Sequence, residues 1–213
     1  MRTIDLTHPI SEDIQVYPGD TAPRIEPSAT HEKNGYAALS LSMTSHSGTH
    51  IDAPYHVIPC GRKLSELPPS AFLGTACVID CRRIPEGGEI TPELINANPS
   101  AKSVDFLIFN TGYAELWASE KYKLSYPTLS RAAANMIADR AYKGVGFDTF
   151  GPDRVGSIEM HKILLARDMI IIENLAAASE CGEGEFDLIA MPMSIACSDG
   201  APARVIAIID REK

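Results

Sequence analysis

The chain has 213 residues, 45% of them hydrophobic and 22% charged, with a formal net charge of −9. Such a length fits one large domain or two small ones with a real core, and the charged fraction is ordinary for a soluble globular protein. The negative charge disfavours nucleic acid and anionic membranes as partners, but leaves a small anionic substrate open, since a bound metal can reverse the local potential.

The opening Met1-Arg2-Thr3-Ile4-Asp5-Leu6 lacks the apolar core of a secretory signal, and no run approaches the ~20 apolar residues of a membrane span. The cysteines, Cys60, Cys77, Cys81, Cys181 and Cys197, form no C-x-x-C pair. An odd number without a signal reads as reduced thiols, and the expected location is cytoplasmic.

Strands are expected first over Thr3–Leu6 and Tyr36–Met43, the second alternating Leu39, Leu41 and Met43 against Ser40, Ser42 and Thr44. Gly74–Asp80 and Phe106–Asn110 are apolar runs of strand length. Within Ala76–Cys81, alternation would bury Cys77 and Cys81 together as packing residues. Thr91-Pro92 has the form of a helix start, with Thr91 as cap and Pro92 at the first helical position. The clearest helix covers Ser130–Tyr142, capped by Ser130, with Ala133, Met136, Ile137 and Arg140 at helical spacing. A strand at Gly144–Asp148, a loop at Thr149–Gly156 and a short helix at Ser157–Ala166 follow, the last with Ile158, His161 and Leu165 near one face. Strands at Met169–Leu175, Leu188–Met193 and Arg204–Asp210 complete the chain. Strands outnumber helices and mix with them, so the fold class is α/β or α+β with a mixed sheet. No shift in composition divides the chain, and residues 1–213 read as a single domain.

Chemistry concentrates in His46-Ser47-Gly48-Thr49-His50-Ile51-Asp52-Ala53-Pro54-Tyr55-His56. The three histidines and Asp52 occupy even positions, so an extended chain points them to one side. A helix would swing Asp52 away from His46 and His50, and Ser, Gly, Thr and Pro oppose it. A straight strand would separate His46 from Asp52 by roughly 20 Å, whereas ligands of one metal sit about 2.0–2.3 Å from it. The chain must therefore bend, with Gly48 permitting the bend and Pro54 fixing the exit. Two neutral imidazoles and a carboxylate suit a divalent metal that keeps one position open. His56 is either a fourth ligand or a general acid/base, histidine being the residue type that exchanges protons near neutrality; the spacing leaves both open.

Elsewhere, His161 could be a core or surface histidine of its helix. Glu173 follows Met169-Ile170-Ile171-Ile172, where a carboxylate is costly unless paired or metal-bound. Asp148 could orient a ligand histidine or cap the next turn. Cys60 falls close enough to His56 to line a pocket, and His8 and His31 read as solvated.

The pattern His46-x-Gly48-Thr49-His50-x-Asp52-x-Pro54-x-His56 is similar to the signature of the cyclase family, which includes bacterial kynurenine formamidase and isatin hydrolase. The resemblance runs nearly end to end, through Ile4–Thr7, Val16–Asp20, Glu173 and Ser198–Pro202. It implies a swivelling β/β/α fold with a mixed β-sheet core flanked by helices, a homodimer or homotetramer, and one or two divalent ions per subunit, zinc ahead of manganese. By motif position, His46, His50 and Asp52 match metal ligands, His56 the proton donor/acceptor, and His161 and Glu173 the remaining ligands. In the formamidase branch, Asp52 and Glu173 would touch both of two zinc ions. Tyr17 falls where that branch carries a substrate-packing Trp, and Thr49 where Ala is common; both depart from it.

The expected activity is amide hydrolysis of the arylformamidase type, by metal-activated water with His56 passing a proton to the leaving nitrogen. The alternatives are opening of a cyclic amide, as in isatin hydrolase, or a non-catalytic metal- or small-ligand-binding role on the same scaffold.

Overall fold

The computed structural model describes residues 1–117, 119–123 and 125–209. Its strands are β1 (Arg2–Asp5), β2 (Arg24–Ala29), β3 (Ala38–Ser42), β4 (His50–Asp52), β5 (Leu73–Asp80), β6 (Glu89–Ile90), β7 (Phe106–Asn110), β8 (Thr128–Leu129), β9 (Gly144–Phe147), β10 (Ile170–Glu173), β11 (Glu185–Pro192) and β12 (Gly200–Ile209). The α-helices are α1 (His31–Asn34), α2 (Pro92–Asn96), α3 (Arg131–Ala138) and α4 (Glu159–Leu165).

The main sheet runs β1-β12-β11-β5-β7-β9-β10-β4, and β4 also pairs with β12, so the sheet closes into a barrel. β5, β7, β9 and β10 run parallel to their neighbours in that series, and the other pairings are antiparallel. The mixed sheet expected from the strand pattern is therefore present, with few helices.

Period-2 alternation divides the strands between two cores. Phe106, Ile108, Ile170 and Ile172 join the first, which also takes Ile51, Ala201, Ala203 and Val205. Leu107, Phe109, Val145, Phe147 and Ile171 join the second, against Ile95 of α2, Ala133, Ala134 and Ile137 of α3, and Leu164 and Leu165 of α4. Cys77, Ile79 and Cys81 point into this second core, and burial pushes the Cys77 thiol up to about 12. Both thiols are packing groups.

Several boundaries differ from expectation. α3 begins at Arg131, behind the cap Ser130, whose hydroxyl accepts the Ala133 N–H at 3.1 Å, a cap worth about 1 kcal/mol. It ends at Ala138, because Arg140 N–H turns back to Ile137 O and the chain re-enters the sheet at β9. Ile158 lies ahead of α4 and is 47% exposed instead of sharing a buried face with His161 and Leu165. β12 starts at Gly200, not Arg204: Gly200, Ala201 and Pro202, expected to precede the strand, pair with Asp52, Ile51 and His50. Asp210, expected in that strand, lies outside the described residues.

β3 forms only a two-stranded pair with β2, with Ile25 opposite Leu41 and Pro27 opposite Leu39. Its alternation is real, but no core receives it: Tyr36, Leu39 and Leu41 are more than half exposed.

Candidate metal centre and cavity

β4 places the first donors. It lies between β10 and β12, where Glu173 faces His50 across one pair and Gly200 faces Asp52 across the other. Alternation sends Ile51 into the core and His50 and Asp52 to the opposite side. Gly48, at φ +65°, makes the bend that brings His46 back toward Asp52; an added Cβ there would press on Ile10 and strain the backbone. Pro54 opens a single 3₁₀ turn that ends on His56.

The result is two donor sets with Asp52 in common: His46, His50 and Asp52 form one, and Asp52, His161 and Glu173 the other, with donor atoms in each within 4.8 Å of one another. His46 Nδ1 is 2.7 Å from Asp52 Oδ1, and its Nε2 is 2.9 Å from Asp199 Oδ2. His161 Nε2 lies 3.0 Å from Glu173 Oε1 and 3.5 Å from Asp52 Oδ2. His50 Nδ1 faces the Gly48 carbonyl at 2.8 Å, which only an N–H can satisfy, so in the neutral ring Nε2 carries the lone pair. That Nε2 is buried, 3.4 Å from Asp52 and from Glu173, and makes no hydrogen bond.

A buried lone pair without a donor, beside two buried carboxylates, is a poor arrangement for a protein core unless positive charge sits among them. The donor set therefore fits a divalent cation. The electrostatics agree. Burial alone would lower the histidines, but Asp52 and Asp199 outweigh it at His46 and raise it to about 10. At His50, Asp52 and Glu173 do the same and raise it to about 9. Against the opposing effect of burial, the facing imidazoles hold Asp52 well below the usual carboxylate range and lower Glu173.

Three supporting residues were not legible as such. Asn174, buried and left-handed at φ 56°, donates to the Gly48 carbonyl at 2.9 Å and accepts from Tyr122 O–H at 2.8 Å, fixing the acceptor that sets the His50 tautomer. Asp199 reaches His46 and, at 3.3 Å, His56 Nδ1. Asp153 reaches His161 Nδ1 at 2.7 Å. The only signal available for Asp199 was its place in Ser198–Pro202; Asp153 lay unmarked in a loop. Gly151, at φ +93°, leaves room for the Glu173 carboxylate, which an added Cβ would overlap.

Asp148, open between two roles in sequence, takes neither: it caps the earlier turn at Thr111 and Gly112, accepting from the Thr111 hydroxyl at 2.6 Å and the Gly112 N–H at 2.8 Å. Cys60 is exposed and does not line the cavity. His31 is exposed, but His8 is not solvated. It stacks on Trp117 at 4.3 Å, its Nε2 is buried without a partner, and burial lowers it to about 4.

A cavity of about 350 Å³ opens over the donors, with His46, His50, His56, His161 and Glu173 at its floor and Tyr17, Phe150 and Ile158 among its walls. Tyr17 meets Phe150 edge-on at 5.9 Å and accepts the Gly156 N–H at 2.5 Å, which ties the N-terminal wall to the loop before α4.

The Cyclase family model matches residues 4–154. Kynurenine formamidase from Bacillus cereus is 28% identical over 206 residues, and that from Bacillus cytotoxicus 29%, each alignment covering 95% of both chains. Among solved structures, isatin hydrolase A from Labrenzia aggregata, bound to benzyl benzoate, superposes with a TM-score of 0.87 at 25% identity, over 98% of this chain and 93% of that one. A chain described as a potential metal-dependent hydrolase with cyclase activity superposes at 0.80 with 28% identity, over 97% and 96%.

Proposed function

Since the chain belongs to the cyclase family, we propose that it is a metal-dependent hydrolase cleaving the carbon–nitrogen bond of an aryl formamide, the reaction type its kynurenine formamidase relatives are named for. One observation carries this reading: two donor sets sharing Asp52 lie on the floor of an aromatic-walled cavity that His56 also lines. His46, His50 and Asp52 would hold one ion, and Asp52, His161 and Glu173 a second, with zinc as the ion and manganese compatible with the same donors. When bound, such a cation supplies Lewis acidity, polarising a carbonyl and making a water acidic enough to attack it near neutral pH.

The chain's own residues supply the rest. Tyr17 and Phe150 offer an edge and a face against which an aryl group packs, orienting the carbonyl toward the cavity floor. His56 presents Nδ1 to Asp199, which leaves Nε2 to take a proton from the attacking water and hand it to the leaving nitrogen. Opening of a cyclic amide needs the same attack and proton transfer, and the likeness to isatin hydrolase A favours it as the second reading.

Metal analysis of the purified protein, with turnover of N-formylkynurenine, a simple aryl formamide and isatin, tests the proposal. The expected outcome is zinc at one to two ions per chain and fastest turnover of a formamide. Turnover of isatin alone selects the second reading; metal without turnover of any of the three makes the chain a binding protein.

A homodimer or homotetramer is supported by the β2–β3 arm, since a two-stranded hairpin with an exposed apolar face is at best marginally stable in water. Leu39→Glu with Leu41→Glu should yield a monomer by light scattering; a wild-type monomer would remove this assembly. Among the described residues no helix is long and apolar enough to cross a membrane. The five thiols are free, which supports the cytoplasmic location.

A further inference from the structure

His161 is the one donor of the second set that stands on a helix, α4, and a side chain there can turn about its own bonds. What holds it is a carboxylate from the preceding loop. Asp153 is only 4% exposed. Its Oδ2 accepts the His161 backbone N–H at 2.9 Å and lies 2.7 Å from the ring Nδ1. Its Oδ1 accepts the Met160 N–H and the Ser157 hydroxyl, each at 2.9 Å. The carboxylate is thus immobilised by three other donors before it meets the imidazole, and it stands on the side of the ring away from Asp52 and Glu173. The hydrogen bonds to His161 and to the two backbone N–H groups hold Asp153 in its charged form against burial, and its pKa falls below the ordinary value.

We propose that Asp153 is a positioning residue for the second metal site. It accepts a hydrogen bond from the Nδ1–H of His161, fixes the tautomer and ring plane, and turns Nε2 onto the point shared with Asp52 and Glu173. The role rests on the two-ion reading above, and general chemistry supports it: a carboxylate behind a ligating imidazole raises its basicity, and losing it costs roughly tenfold to a hundredfold in metal affinity. His50 has a backbone carbonyl in the equivalent place, so the two donor sets depend on different supports and can be perturbed separately.

The test is calorimetric titration of the stripped protein with Zn²⁺ alone. Wild type should bind two equivalents. Asp153→Asn, which keeps one acceptor oxygen for the Met160 N–H and the Ser157 hydroxyl, should bind the first unchanged and the second about tenfold to a hundredfold more weakly. His161→Ala should lose the second step, and adding Asp153→Asn to it should change nothing further, because a group acting through His161 has nothing left to act on. An unchanged second step in Asp153→Asn overturns the role of Asp153 alone. Equal weakening of both steps, or an additive loss in the double variant, marks a merely structural residue and overturns it too. Fewer than two equivalents in wild type overturns both the second site and this role.

Discussion

His56→Ala keeps its metal and loses turnover by on the order of a hundredfold or more. The two halves of this expectation come from different parts of the geometry. His56 belongs to neither donor set built on Asp52; its Nδ1 approaches Asp199 at 3.3 Å, and its ring stands 4.1 Å from that of His46. Removing it costs His46 that ring contact and leaves His46, His50, Asp52, His161 and Glu173 with their donor contacts to one another. The loss falls on proton delivery, since departure of an amide nitrogen without a proton creates a poor leaving group. Metal content by elemental analysis, alongside kcat and KM on an aryl formamide, reads both halves. The opposite pattern, metal and activity lost together, would make His56 a ligand, in the third grouping that the structure permits, with His46 and Asp199.

Asp52→Asn is the second large effect: loss of metal from both sites and of turnover by about a thousandfold or more, the equivalent of the several kcal/mol a Lewis acid contributes. Asp52 is 1% exposed and faces His46 and His50 through Oδ1 and His161 through Oδ2. An amide there supplies neither the charge nor the second acceptor oxygen, and its NH₂ would point at an imidazole lone pair. Stability offers a readout besides activity. Zinc at about a hundred times its dissociation constant should raise the wild-type Tm by about 5–10 °C and leave Asp52→Asn unmoved. A variant whose Tm still rises with zinc would show that the remaining donors suffice and that Asp52 is not shared.

The legible part of the fold was the local part. Phe106–Asn110 and Gly74–Asp80 are apolar runs of strand length and lie in strands, and Ser130 marks the start of α3 by its own hydroxyl. Where expectation failed, the deciding contact was remote. Gly200-Ala201-Pro202, expected to precede the last strand, becomes strand because β4, about 150 residues earlier, offers it a partner and closes the barrel. Leu39 and Leu41 have the alternation of a half-buried strand, but within this chain nothing packs on them. His8 carries no mark that distinguishes it from a surface histidine; Trp117 takes it out of water.

The same division runs through the site. His46, Gly48, His50, Asp52, Pro54 and His56 lie within eleven residues, so their residue types and spacing already dictate a bent segment with donors on one side, and the sequence by itself determined that much. Which carboxylate backs which imidazole was decided only in three dimensions. Glu173 reaches His50 because β10 pairs with β4, Asp199 reaches His46 because β12 pairs with β4 on its other side, and Asp153 reaches His161 because the loop folds back over the start of α4. Spacing along the chain constrains only neighbours a few residues apart. Contacts between residues a hundred or more apart exist because burying the apolar faces of β10, β4 and β12 outweighs the entropy of closing the long loops between them, and that balance belongs to the whole barrel.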